Sequence, residues 1–236
     1  MHHSPAPTAH ACDAANAPTP VTHLLYLHGF RSSPQSMKAV KMARWVAEHH
    51  PSVCFWCPQL PPSPREAMAL VSEGVAAWPL GPGSTGAMAV MGSSLGGFYA
   101  TWVAERLAPA AHAPVLLINP AVDPAHDLAQ YIGEQTHWHD PEQRFYFRPA
   151  YVDELRALRV GTLTQPQRYQ VWAATGDEVL DWRDMQARYQ ACGIATAHRP
   201  AGLHVVAGPD HALSDFDQHL PAMLHHLNLL KSIANY

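Results

Sequence analysis

The stretch AVMGSSLGGFYATW, residues 89–102, sets two serines side by side in a glycine-rich bend. Residues 87–92 before the bend are a short apolar run that reads as a buried strand. Residues 95–107 after it are apolar nearly all round, as in a helix held deep against a sheet. Between them Gly92, Ser93, Ser94, Leu95 and Gly96 match G-x-S-x-G in a strand–turn–helix setting. Small residues are needed two places either side of the central one, because larger side chains in so tight a turn would clash with neighbouring strands. That puts Ser94 at the apex and Ser93 beside it. A plain glycine–serine loop is the alternative. The helix that follows at once argues against it, because its first amides point toward the apex and favour developing negative charge.

Outward from this bend the chain alternates strand and helix patterns. HLLYLHGF (23–30) is an apolar run ending in glycine, and Ala39, Met42, Ala43 and Val46 then recur at helical spacing. VCFWC (53–57) reads as another buried strand and PQLPPSP as its loop. Ser63, Pro64 and Glu66 form a capping-box start for a helix whose stripe is Ala67, Leu70, Val71, Gly74, Val75 and Trp78. GPGSTG (81–86) reads as a turn. PVLLINP (114–120), YQVWAA (169–174) and LHVVAG (203–208) are further strands, and Leu220, Met223, Leu224 and Leu227 mark a C-terminal helix. Strands apolar throughout and alternating with helices predict an α/β fold, a mostly parallel sheet with helices on both faces. Ligands then bind beyond the carboxyl ends of the strands. Residues 121–168 are longer than a simple crossover and polar, with Tyr131, Trp138, Phe145, Tyr146, Phe147 and Tyr151 scattered through them, and are expected to form a short lid. Residues 1–20, rich in Ala, Pro and polar side chains, read as a disordered leader, and residues 21–236 as one domain.

Composition narrows the chemistry. With 236 residues, 47% of them hydrophobic, and a formal net charge of -4, the chain is composed as a globular protein without a field for nucleic acid or an anionic membrane. No apolar run approaches the roughly 18–20 residues of a membrane-spanning helix, and the start lacks the pattern of a secretory signal. Four cysteines in a chain this long do not make a disulfide scaffold, which points to a reducing, cytoplasmic setting. Cys54 and Cys57 could be a redox pair, but they fall in an aromatic strand rather than at a helix start, and the structural reading is preferred. His137, Trp138, His139 and Asp140 read as solvated surface rather than as metal ligands, and no metal or cofactor is expected.

A serine hydroxyl needs a base to take its proton and a third group to orient that base. Behind an elbow of this kind the chain order is serine, acid, histidine. Asp177 follows the strand 169–174, and His211 follows the last strand. Asp181 remains open as a helix cap or as the acid itself, and Asp123 ends an earlier strand. His204 falls within a strand, whereas His198, His219, His225 and His226 fit surface or helical positions. The Leu95 amide is a natural oxyanion donor, and Gly29 lets the Phe30 amide turn in to face it. His28 is expected to brace this loop rather than act as a base.

The segments LLYLHGFRSSPQSMKA, PQLPPSP, VMGSSLGGFYATW, INPAV and TGDEVLDW, with the histidine loop, resemble the YqiA/YcfP-like esterases of the α/β-hydrolase superfamily from about residue 22 onward. The resemblance implies a single-domain serine hydrolase with Ser94, Asp177 and His211 as its triad. Its substrate would be a small-molecule acyl ester of short to medium chain, or a thioester. An acyl-CoA thioesterase, an acyltransferase and a non-catalytic ligand-binding homologue are the competing readings. His28, Arg31, Tyr99 and Trp138 are the candidate substrate contacts. Departures from the family pattern are the leader, a longer connection before the last strand, and Pro209 and Asp210 ahead of His211, where glycine and asparagine are expected. A carboxylate at Asp210 that faced the imidazole would raise its basicity.

Overall fold

In chain order the elements are β1 (His23–Leu27), α1 (Met37–His49), β2 (Cys54–Trp56), α2 (Pro64–Ala76), β3 (Met88–Ser93), α3 (Leu95–Arg106), β4 (Val115–Ile118), α4 (Pro124–Asp127), β5 (Gly133–Thr136), β6 (Arg144–Phe147), α5 (Pro149–Ala157), β7 (Tyr169–Ala174), α6 (Trp182–Ala191), β8 (Gly202–Val206) and α7 (Phe216–His226). They come from a computed structural model that describes residues 20–80, 86–107, 113–196 and 201–230. The leader expected over residues 1–20 and the turn expected at 81–86 lie, apart from their last residues, outside the described residues. Six strands form one sheet in the order β2-β1-β3-β4-β7-β8, and every pair in it is parallel.

Parallel strands covered on both faces need apolar side chains at every position, and β3, β4 and β7 are buried along their whole length. Alternate residues then serve opposite layers. Leu25, Leu27, Val90 and Leu117 pack with α2, α3 and α6, while Leu24, Tyr26, Met91 and Leu116 pack with α1 and α7. Among the described residues no helix is long and apolar enough to cross a membrane.

Two expectations change, and a third gains detail. The strand at VCFWC is not buried: β2 is the sheet's edge, with Cys54 exposed and Phe55 and Trp56 half-buried. Burial still pushes the Cys57 thiol up to about 12, so it is not a reactive thiolate. On α2, Met68 is buried and Leu70 is exposed. At about 100° per residue, Leu70 falls about 60° outside the arc that Ala67, Val71 and Val75 define, whereas Met68 lies only about 20° beyond its other edge. The Ser63 cap stands, its hydroxyl accepting from the Glu66 amide while donating to Glu154 of α5. Within residues 121–168, β5 and β6 pair as an antiparallel hairpin separate from the main sheet. Residues facing each other across such a pair share a face, so Phe145 and Phe147 point one way and Tyr146 the other.

Candidate active site

Ser94 sits between β3 and α3 at φ 57 and ψ -126, a conformation that costs a non-glycine residue about 1–3 kcal/mol and persists only where the surroundings over-determine it. They do so. The Ser94 amide donates to Ile118 O at 3.0 Å, and the Ser94 carbonyl accepts from the Gly97 and Ala121 amides. A Cβ at Gly96 would collide with the Leu27 carbonyl of β1, and one at Gly92 with the Gly96 carbonyl. The small residues of G-x-S-x-G therefore reflect backbone running against backbone. Ser94 keeps partial exposure, whereas Ser93 is buried beside the Tyr26 hydroxyl.

The turn after β7 and the loop after β8 open on the same sheet edge as Ser94, since parallel strands share a direction. Gly176 lets them meet: a Cβ there would stand 2.6 Å from Gly208 O and 2.8 Å from Pro209 O. His211 Nδ1 donates to Asp177 Oδ2 at 2.8 Å, with the Asp177 side chain fully buried and the His211 side chain 21% exposed. Asp177 Oδ1 accepts from the Val179 and Leu180 amides, which fixes the carboxylate plane. The alternatives fall elsewhere. Asp181 caps α6 through the Arg183 amide, and Asp123 caps α4 through the His126 amide. His204 stacks on Trp172, His219 pairs with Asp215, and His226 bonds to Val115 O.

Three supporting residues escaped the sequence reading. Asn119, fully buried at the end of β4 with φ 40, donates through Nδ2 to Asp210 O and His211 O and accepts at Oδ1 from the Ala174 amide. It joins the ends of β4 and β7 to the histidine loop. Lys38, buried on the first turn of α1, donates to Ala212 O at 2.5 Å. Burial lowers its pKa to about 8 against the pull of Asp210 and Asp177. Glu178 accepts from the His211 amide. The local signals were an asparagine closing a buried strand and a lysine on the apolar side of a helix.

The loop after β1 abuts the Ser94 turn, since a Cβ at Gly29 would lie 3.1 Å from Ser94 Cβ. Among the described residues the Phe30 and Leu95 amides have no protein partner. His28 braces the loop. Its Nε2 accepts from the Leu60 amide, so Nδ1 carries the proton given to Gly29 O, and burial holds its pKa down to about 4. With both nitrogens engaged and the residue 4% exposed, it is not placed as the substrate contact that was expected. Tyr99 is 2% exposed within the core of α3, so it too is not a substrate contact. Arg31 and Trp138 are joined to each other, the guanidinium 4.1 Å from the indole centroid, at the hairpin. Nearby His137 packs on Phe145, and Asp140 accepts from the Glu142 amide and the Gln143 side chain. Among the described residues no group of three or more His, Cys, Asp or Glu side chains is placed to hold a metal.

A profile of the family described as Uncharacterised protein family (UPF0227) matches residues 23–228. It is the family to which the YqiA/YcfP resemblance pointed. Among solved structures the chain is similar to Est1E from Butyrivibrio proteoclasticus, at 12% identity over 90% of each chain with a TM-score of 0.61. It is also similar to the esterase domain of a Rhodothermus marinus protein, at 21% identity over 89% of this chain and 86% of that one, TM-score 0.58. A third is mouse alpha/beta hydrolase domain-containing protein 10, at 16% identity over 85% and 86%, TM-score 0.54. The fold is that of the α/β-hydrolases.

Proposed function

The chain belongs to the UPF0227 family, and from that membership and the arrangement around Ser94 we propose that it is a serine hydrolase cleaving short- to medium-chain acyl esters or thioesters. The observation that carries this reading is the 2.8 Å bond from His211 Nδ1 to buried Asp177, on the sheet edge where Ser94 is held in a strained turn. With Nδ1 committed to the carboxylate, Nε2 is the nitrogen left to act as base. It takes the Ser94 proton as Oγ attacks the acyl carbon. The oxyanion forms against the Leu95 and Phe30 amides, each such donor being worth about 10²–10³ in rate. The imidazolium then protonates the departing alkoxide or thiolate, leaving an acyl-serine. Water, deprotonated by the same nitrogen, attacks that ester, and the proton returns to Ser94 Oγ as the acid departs.

The inner face of the hairpin favours short acyl groups. Phe30 packs there on Tyr131, Phe145 and Phe147, filling space that a long chain would need. Each methylene that does find an apolar wall adds about 0.8 kcal/mol, close to fourfold. The free cysteines Cys54, Cys57 and Cys192 suit the reducing, cytoplasmic setting that we assign to it. The test is labelling by a fluorophosphonate, followed by kcat/KM over p-nitrophenyl esters from acetate to palmitate and over acyl-CoAs. Labelling and turnover with gains that stop after a few carbons are expected. Absence of both labelling and turnover refutes the hydrolase; a steady rise to palmitate refutes the shallow pocket.

A further inference from the structure

The loop that carries the Phe30 amide is gripped from two sides. On one, Gly29 lies so close to Ser94 that no Cβ fits with ease. On the other, the next residues, Phe30 and Arg31, contact the hairpin. Arg31 Nε donates to Thr136 O at 2.6 Å and Arg31 Nη2 to Thr136 Oγ1 at 2.9 Å. In return the Trp138 amide donates to Arg31 O at 2.8 Å, and the Trp138 ring lies under the guanidinium. The Phe30 ring meets Tyr131, Phe145 and Phe147 at centroid distances of 5.7, 5.9 and 5.2 Å. Arg31 itself has φ 59, a left-handed conformation that only strong local contacts hold in a residue of this kind.

We propose that Arg31 is a positioning residue which, by clamping the β5–β6 hairpin to the loop after β1, fixes the Phe30 amide where the oxyanion forms. The hairpin is then a fixed wall of the site, and its two halves meet the loop through Arg31 and Phe30 respectively. The role calls for arginine. A planar fork reaches a carbonyl and a hydroxyl at once while stacking on an indole, and an ammonium can replace only one of those bonds. Trp138, expected from sequence as a substrate contact, becomes the platform of the clamp; its 65% exposure fits a ring whose work is done on the face toward Arg31.

The proposal rests on the hydrolase reading and has its own signature. A donor that acts on the oxyanion acts on the transition state, so loosening it lowers kcat and leaves KM nearly unchanged. A displacement near 1 Å is worth about 10²-fold in rate. Arg31→Ala is therefore expected to lose roughly 10- to 100-fold in kcat, with Arg31→Lys and Thr136→Val losing less in the same direction. The diagnostic readout compares an ester with its thiono analogue, whose sulfur accepts hydrogen bonds poorly. The wild type should prefer the oxygen ester strongly, and the preference should shrink in Arg31→Ala and partly return in Arg31→Lys. Circular dichroism and melting of each variant confirm that the fold is retained. A rise in KM with kcat intact would make Arg31 a substrate contact and overturn the clamp, as would an unchanged ester-to-thiono ratio in all three variants. A wild type without turnover would overturn the hydrolase reading instead.

Discussion

Asn119 offers the sharpest test of how the site is held together. Its side chain is fully buried and makes three hydrogen bonds, from Nδ2 to Asp210 O (3.2 Å) and His211 O (3.0 Å) and at Oδ1 from the Ala174 amide (2.8 Å). Asn119→Ala strips all three. A buried polar group left without a partner costs about 1–3 kcal/mol. The Ala174 amide, in a buried strand, bears that in full, while the loop carbonyls can be met in part by water. Alanine at φ 40 adds about 1 kcal/mol. The sum is about 3–5 kcal/mol, a large share of the roughly 5–15 kcal/mol that holds such a domain folded. Asn119→Asp is the discriminating variant. It keeps the shape and the acceptor, removes both donors, and sets a buried charge against two carbonyls, so it should be at least as damaging as alanine. Freed from Asn119, the His211 loop should drift, lowering kcat about 10²-fold with KM little changed. Urea denaturation gives the stabilities, and ester hydrolysis below the transition gives kcat. An Asn119→Asp protein within about 0.5 kcal/mol of the wild type, with kcat within twofold, would refute the reasoning.

Ser94→Ala should abolish fluorophosphonate labelling and reduce turnover about 10⁴-fold or more, while Ser93→Ala folds and stays active; labelling that follows Ser93 instead would reverse the assignment. Asp177→Asn should lower kcat about 10⁴-fold by losing the correct histidine tautomer. Asp181→Asn should be mild, because asparagine caps a helix as well as aspartate, and the opposite order of damage would transfer the acid's role. Burial holds His226 and His28 to about 4, against 6.5 for a free imidazole. Between those values the unfolded chain binds more protons, so stability falls as pH drops from about 6.5 toward 4. His226→Gln should flatten that fall in urea midpoints measured at pH 7 and 4.5, and equal slopes in variant and wild type would exclude its share.

The strands of the sheet interior were legible because a parallel strand covered on both faces is apolar at nearly every position, a pattern that β4 carries without interruption and that β3 and β7 break at Ser93 and Gln170. β2 shares the composition but not the setting. Nothing in CFWC says that its outer neighbour is missing, so an edge strand passed for a central one. The hairpin was harder for another reason. Its strands, GEQT and RFYF, are four residues each, and the alternation of Phe145 and Phe147 against Tyr146 has meaning only once Phe30, over a hundred positions earlier, is seen as the surface they cover. Leu70 was misplaced by counting residue types where the angle around the helix decides.

In the candidate site, the residues that chemistry would demand at a loop apex, Ser94, Asp177 and His211, could be picked out from sequence, and those that serve the backbone could not. The departure at Pro209 and Asp210 illustrates the distinction. Asp210 does not need to face the imidazole, because its carboxylate accepts from the Ser214 amide. What positions His211 is a set of side chains from distant elements, each taking a main-chain group of residues 210–212. Asn119 of β4 takes two carbonyls, Glu178 after β7 takes the His211 amide, and Lys38 of α1 takes the Ala212 carbonyl. A loop held largely by its backbone leaves the side chain at Asp210 free to serve the loop itself, through the Ser214 amide, rather than the imidazole. The same arrangement explains why a lysine is buried at a cost that lowers its pKa to about 8. Its ammonium answers a carbonyl that would otherwise be left unpaired, and it does so within the field of Asp210 and Asp177, whose charge offsets part of its desolvation. Identity at positions 38, 119 and 178 therefore bears directly on how the backbone around His211 is held.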